Sequence, residues 1–462
     1  MPLQNLSPDP NDEYFTDGMT EELITSLSQL RELTVIARTS VMRYKGAARA
    51  VSEIGRELNA GSLIEGSVRK AGSRIRITVQ LIDAKNEGHV WAQNYDRDMG
   101  DIFAIQSEIA ESVARELEVR LVESEKSRLE RKPTRDTEAY MLYLKGRFYW
   151  NERSETGLKK AIEYFDVAIK KDPAFALGYS GLSDCYGVMA RNHLAEVGLN
   201  YEKAKQYALK ALELDENLAE AHAALASVLR EYEHNSGKAE SEYKRAIELK
   251  PSYSSAHQWY SIFLGAHGRY EEGEREIRKA LELDPLSLII NTNLGDWLYY
   301  LNKLDAAIEQ YRKTIEIEPE FLPAHESVIK AYVRKGMYDE AMAEGKICSK
   351  LSNHPLFQKW VTASVCAAKG EFEESLRLLE QVEQGYRTEN ISPYDIALVH
   401  FAARDNEGGF QWLRRAYDEH DGWIDLMASD FELDGVRDDP RYLDILDKIG
   451  LGQDRTGRKH MK

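Results

Sequence analysis

The chain has 462 residues, 43% hydrophobic and 30% charged, with a formal net charge of −17 at pH 7. That length gives room for two to four domains with buried cores. The acidic balance is ill suited to following a phosphate backbone, so no nucleic-acid partner is expected. No window approaches the roughly eighteen consecutive apolar residues of a membrane span, and the first twenty residues do not read as a signal peptide. Three scattered cysteines, Cys185, Cys348 and Cys366, imply a reducing compartment and no disulfide framework. A cytoplasmic location is the expectation. The N-x-S triplets at Asn5 and Asn390 matter only in a secreted chain.

The opening "MPLQNLSPDPNDEYFTDGM" reads as a polar loop running into a helix. Met19, Leu23, Ile24, Leu27 and Leu30 form a helical stripe, entered through Asp17 and Gly18. "LTVIA" (Leu33 to Ala37) predicts a short buried strand, and Val51, Ile54 and Leu58 line a short helix. Ile75, Ile77, Val79 and Leu81 alternate with Arg74, Arg76, Thr78 and Gln80, the period of a strand with one buried face. Ala71-Gly72 is the turn before it, and "HVWAQNY" is a further strand. Asp101 is an N-cap candidate for a long helix with the stripe Ile102, Ile105, Ile109, Val113, Leu117 and Leu121. These elements make a small α+β sandwich. Arg69, Lys70, Arg74 and Arg76 on its hairpin read as a solvated face that discourages edge pairing, with an anion or partner patch as the alternative.

The stretches "EYFTDGMTEELITSLSQL", "YKGAARAVSEIGRELNA" and "LIEGSVRKAGSRIRITVQLIDAKNEGHVWAQNYDRDMGDIFAIQSEIA" resemble the TolB N-terminal-like (FlgO-like) module of bacterial signalling proteins. The resemblance covers roughly residues 1 to 121. It implies a fusion to tetratricopeptide repeats, often with a winged-helix regulator, a cyclase or a kinase further upstream. It also implies a first buried strand ending at Pro2 and Leu3, which would be missing here, so that the polar opening is the loop after it.

Beyond Pro133 the alternation stops and a helical motif recurs: "AIKKDP", "ALELDE", "AIELKP", "ALELDP", "TIEIEP". Pro251, Pro285 and Pro319 repeat at the 34-residue tetratricopeptide period. Small residues mark close helix packing: Ala161, Ala204, Ala239, Gly273, Ala307 and Ala341, with a second row at Ala168, Ala211, Ala246 and Ala280. Phe165, Tyr179, Tyr186, Tyr243 and Tyr311 fill the wider sites. The segment resembles the tetratricopeptide repeat family from Thr137 to Glu320 and more weakly beyond. The expected fold is an α+β N-terminal sandwich module followed by an all-α tetratricopeptide superhelical solenoid. The expected boundaries are 1–131 for the module, 132–355 for the repeats, 356–452 for degenerate repeats and a helical cap, and 453–462 for a flexible tail. "MASDFELDGVRDDPRYLDILDKIGL" is read as that cap.

No phosphate loop, zinc-protease, serine-hydrolase or paired-cysteine motif is present, so neither an enzyme, a cofactor nor a metal is expected. His222, His257 and His325 recur at equivalent repeat positions and read as packing residues, too far apart to share one metal. The tetratricopeptide resemblance implies a concave groove lined by the first helix of each unit. Carried over, it names Tyr140, Tyr143, Arg147, Trp150 and Asn151, then Arg230 and Glu231, then Asp296, Tyr299 and Tyr300, then Glu326, Lys330 and Arg334, and Trp360. Tyr, Trp and Arg are the types that dominate binding hot spots. The competing reading packs Tyr143 and Trp150 against the preceding domain. Ser180 and Asp184 stand where a carboxylate clamp needs donors, which argues against capture of a C-terminal carboxylate. The expectation is a non-enzymatic scaffold or adaptor for a protein or peptide partner. The alternative is a sensory accessory of a cyclase, kinase or regulator whose output domain lies upstream or on another chain.

Overall fold

Strand alternation builds the first element of the fold. In the computed structural model, which describes residues 1–152, 154–191, 196–387 and 391–452, four strands form one sheet in the order β1 (Gln4–Asn5), β2 (Ser62–Ala71), β3 (Arg74–Asp83), β4 (His89–Asp98). β2, β3 and β4 are antiparallel neighbours, and β1 runs parallel to β2 with Gln4 opposite Ser67. Val68, Ile75, Ile77, Val79 and Tyr95 point into a core shared with α1 (Glu13–Ser28) and, after the short helices α2 (Arg38–Met42) and α3 (Val51–Glu57), with α4 (Ile102–Glu116). The opposite face carries the charged hairpin residues. Arg74 and Arg76 there both pair with Asp96 at 2.6 Å, whereas Lys70, expected on the same face, lies opposite Ile75 on the core side and pairs with Asp12 at 2.7 Å.

Three local expectations are corrected. Leu33–Ala37 is not a strand: Ala37 N donates to Leu283 O (2.7 Å), and Ser252 Oγ donates to Leu33 O (3.0 Å). An apolar run of that length fits an extended connector as well as a strand. Gln4 and Asn5 are not loop. Met1 N donates to Ile64 O (2.7 Å) and Leu6 N to Val68 O (2.8 Å), so this stretch lies along β2. Leu3 is buried over Gly66, where a Cβ would stand 2.2 Å from Thr78 O. Finally, α1 begins at Glu13, and Asp17 and Gly18 lie inside it. Asp17 is buried and paired with Lys45 (2.6 Å), and Gly18 lets Leu144 approach, since a Cβ there would sit 2.9 Å from its Cδ2.

After α5 (Glu123–Leu129) the chain is helical. The helices come in pairs: α6 (Thr137–Trp150) with α7 (Glu155–Lys171), α8 (Ala176–Arg191) with α9 (Val197–Leu214), α10 (Ala219–Glu231) with α11 (Ser236–Leu249), and α12 (Ser254–Ala266) with α13 (Tyr270–Leu283). The series continues with α14 (Leu288–Tyr300) and α15 (Leu304–Ile317), α16 (Leu322–Lys335) and α17 (Tyr338–Ser352), α18 (Pro355–Lys369) and α19 (Phe372–Gly385), and α20 (Pro393–Ala402) and α21 (Asn406–Asp418). A last helix, α22, covers Pro440–Lys448. An α+β module thus precedes an all-α array of tetratricopeptide type. The reason is visible in the small-residue rows. Ala161, Ala204, Ala239, Ala307 and Ala341 are buried, as are Ala168, Ala211, Ala246 and Ala280. Gly295 admits the Tyr311 ring to where a Cβ would be 2.3 Å away. Gly336 and Gly370 end α16 and α18 in the left-handed conformation that glycine tolerates.

The chain folds as two units that alternate along the sequence. One comprises Met1–Val228, Ser241–Ala256 and Glu282–Leu286; the other comprises Leu229–Glu240, His257–Leu281 and the chain from Ser287 onward. The expected tail 453–462, Asn390 and positions 192–195 of the insertion lie outside the described residues.

The recurrent histidines staple the helices of a pair together. His222 Nδ1 meets Glu242, His257 Nδ1 lies 2.5 Å from Glu276 Oε2, and His325 Nδ1 lies 2.6 Å from Glu344 Oε2. The other ring nitrogen of His325 lies 3.0 Å from Pro319 O. The Glu344 carboxylate raises the His325 imidazole above its ordinary value, against the opposing effect of burial. A raised folded value stabilises fully below the unfolded value, near pH 6.5, and loses that effect as pH rises through the folded one. His325→Ala therefore costs about 1.5–3 kcal/mol near pH 5.5 and less near pH 9, as urea unfolding at the two pH values measures. An equal loss at both would contradict the charged pair.

Candidate functional site: the face of the first helices

In the first unit, helix α1 lies on the face offered by α6 and its neighbours. Arg147 of α6 donates through Nε to Glu21 Oε1 (2.8 Å) and through Nη1 to Asp184 Oδ2 (3.3 Å), and its guanidinium stacks 4.2 Å from the Trp150 ring. Asn151 Nδ2 donates to Glu21 Oε2 (3.1 Å), and Arg38 Nε lies 3.3 Å from the same oxygen. Burial pushes Glu21 up, but the charges of Arg147 and Arg38 more than offset it and hold Glu21 below the usual range. Its neighbour Glu22 is pushed up to about 8 by burial and by the Glu21 charge, which outweigh the opposing charge of Lys250. One helical turn on, Lys250 Nζ donates to Glu220 Oε1 (2.8 Å) and Thr25 Oγ1 (3.3 Å). Tyr140 and Tyr143 are buried beneath α1. Tyr140 accepts from Gln106 Nε2 (2.8 Å) with its ring 4.6 Å from Phe103, and Tyr143 packs on Phe165 and Phe175. Ser180 is buried as well.

In the second unit the face is covered by the stretch between α21 and α22. Arg230 Nη1 donates to Asp425 Oδ2 (3.1 Å), and its Nη2 meets the adjacent Glu231. Tyr299 Oη donates to Glu432 Oε1 (3.3 Å) and meets the Phe431 ring edge-on at 6.0 Å. The Arg334 guanidinium lies 3.1 Å from the centroid of Phe431. Lys330 Nζ donates to Asp395 Oδ1 (2.7 Å), and Trp360 Nε1 donates to Asp395 O (3.4 Å). Asp296 accepts from Tyr311 Oη (2.8 Å) and Asn293 Nδ2 (3.1 Å). Burial, with the Asp395 charge, pushes Glu326 up to about 7. Tyr300 meets Tyr299 edge-on.

The covering stretch is itself well held. Ile424–Ala428 forms a 3-10 turn, and Ser429 Oγ donates to Gly265 O (3.1 Å). Tyr394 Oη donates to Asp430 Oδ2 (2.9 Å). From behind, Arg437 donates to Ala428 O and Asp430 O, and Tyr442 Oη donates to Met427 O. Met427 and Leu433 are fully buried. Burial and the neighbouring Glu432 push the Asp430 carboxyl well up, while its contact with Asp430 and the Arg334 charge hold Glu432 below its usual range against burial. Burial pushes Asp425 up to about 6, with Arg230 opposing. A cavity of about 60 Å³ remains between Tyr270, Trp297, Tyr300, Trp423, Leu426 and Ser429.

The carried-over positions therefore fall into two clusters, each engaged by a segment from elsewhere in the chain. Sequence reasoning did not find Glu21, Asp425, Asp430, Phe431 or Glu432. The signal for the last four was their acidic and aromatic chemistry, complementary to Arg230, Lys330 and Arg334. Among the described residues no group of three or more His, Cys, Asp or Glu is placed to hold a metal ion, and the three cysteines are buried and free. No helix of the described residues is long and apolar enough to cross a membrane.

Residues 289–321 match the tetratricopeptide repeat family model. A protein of Rhizobium meliloti named "Putative adenylate cyclase 3" is 39% identical over 183 residues, which are 40% of this chain and 31% of that protein. The transcriptional regulator HilA of Salmonella typhimurium is 28% identical over 171 residues, 36% of this chain and 30% of that one. The chain thus spans less than a third of the length of these curated relatives. Among solved structures, yeast Tom70 aligns over 76% of this chain and 82% of its own, at 16% identity and a TM-score of 0.41.

Proposed function

We propose that this chain is a non-enzymatic interaction scaffold whose first-helix face receives a protein or peptide segment. The observation that carries the reading is that, in each unit, this Tyr-, Trp- and Arg-bearing face engages a segment of chain, through Arg147 with Glu21 and through Arg334 with Phe431. Such residues supply large rigid contacts and charge-assisted bonds, the means by which interfaces gain most of their energy. In this reading residues 1–131 are the module, 132–355 the repeats and 356–452 their closure. The net charge of −17 favours protein over nucleic acid as partner, and the compartment is cytoplasmic. Affinity capture with the wild-type chain and with a Tyr299, Tyr300, Lys330 and Arg334 alanine variant tests it. Loss of a specific partner from the variant is expected; unchanged recovery would remove this face as the site.

A second reading makes the chain a sensory accessory of a signalling system. It is favoured by the resemblance of residues 1 to 121 to the TolB N-terminal-like module and by relatives named for a cyclase and a transcriptional regulator. It expects an output domain to co-purify with this chain or to be encoded in frame with it.

A further inference from the structure

The contacts on the second unit's face define a ligand more narrowly than the fold does. Arg230 pairs with Asp425, Tyr299 donates to Glu432 and the Arg334 guanidinium lies over Phe431, while Lys330, paired with Asp395, adds positive charge near Asp430. A seam built only for stability has little use for buried carboxylates, because well-packed apolar residues serve as well or better there. The fit is also incomplete. The cavity of about 60 Å³ beside Leu426 and Ser429 is unfilled, and Trp423 over it is 53% exposed. The stretch is bracketed by Gly422 and Gly435, where an added Cβ would meet nothing within 4 Å, so packing requires glycine at neither end.

The geometry points to an internal peptide of the pattern Asp-x-x-x-x-Asp-Phe-Glu on a partner protein as the ligand of this face, displacing the chain's own Asp425–Glu432. This rests on the scaffold reading above. The tethered segment is present at an effective concentration on the order of millimolar, so it is the resting occupant, and a free peptide must compete with it. A partner with a larger side chain at the position of Ser429 fills the cavity and competes better.

The test uses the full chain and a fluorescein-labelled peptide carrying residues 421–436 as probe. Phe431→Ala weakens the tethered copy, so the probe binds that chain at least about tenfold tighter than it binds wild type. Adding Arg334→Ala removes the gain, and a probe with alanine in place of its phenylalanine binds neither chain. Equal binding to wild-type and Phe431→Ala chains of matching circular dichroism would overturn the assignment. If Phe431→Ala does not fold, hydrogen exchange on the wild-type chain decides. About 1 mM unlabelled peptide accelerates exchange at 424–432 if the proposal holds, and unchanged exchange overturns it. Dimerisation of the wild-type chain that Arg334→Ala abolishes would assign the face to a second copy and overturn it also. A partner still captured through Tyr299, Tyr300, Lys330 and Arg334 when the peptide fails sinks only the peptide class. Failure of both sinks the scaffold reading.

Discussion

Arg147→Met lowers the stability of the first unit by about 3–5 kcal/mol. The side chains of Arg147, Glu21 and Asp184 are all 15% exposed or less. Removing the cation takes the shared guanidinium from two desolvated carboxylates and leaves Glu21 to Arg38 and Asn151, whereas the methionine keeps most of the packing against Trp150. Equilibrium unfolding in urea, followed by circular dichroism, measures the loss. Glu21→Gln in the same chain recovers part of it, because one of the two carboxylates that lost the guanidinium is then neutral. The wild-type advantage also fades in acid. Glu21 is held below its ordinary value, so its contribution is full above the unfolded value near 4.3 and disappears as pH falls through the folded one. A loss under about 1 kcal/mol would mean that this cluster behaves as an exposed pair.

Leu433→Ala costs about 2–5 kcal/mol, the range for truncating a buried leucine. Leu433 is fully buried in the core that joins Ile424, Met427, Tyr442 and Ile445 to the repeats of the second unit. Its loss acts on the segment that covers the face as well as on the core. Tryptophan fluorescence in a urea titration reads the stability. Limited proteolysis near Gly422 and Gly435 reads the release of the segment, and faster cleavage than in wild type is expected there. A stability loss with no change in cleavage would show that the segment stays seated without its leucine.

Much of the fold is written locally. The alternation around Ile75–Leu81 predicts a strand because period two is a backbone property. The spacing of Pro251, Pro285 and Pro319 and the buried alanine rows predict helix pairs because each unit must cover its neighbour. What escapes the sequence is long-range. Arg147 meets Glu21 across 126 positions and Arg230 meets Asp425 across 195. Neither contact has a periodic trace, since α1 and the stretch before α22 lie outside the repeat. Leu33–Ala37 misleads for the same reason. Its apolar residues are only half-buried, and the partners that take its backbone, Ser252 and Leu283, are distant in sequence. The candidate face was legible as a set of positions. Which chain segment lies upon it was not.

Hydrogen exchange of the intact chain, read by mass spectrometry, tests most directly the claim that the chain's own segments occupy the first-helix face in both units. Amides of α1 around Glu21 and of Ile424–Glu432 are expected to exchange as slowly as those of α6 and α16 beneath them. Exchange of either segment within seconds, with the repeat helices still protected, would contradict it.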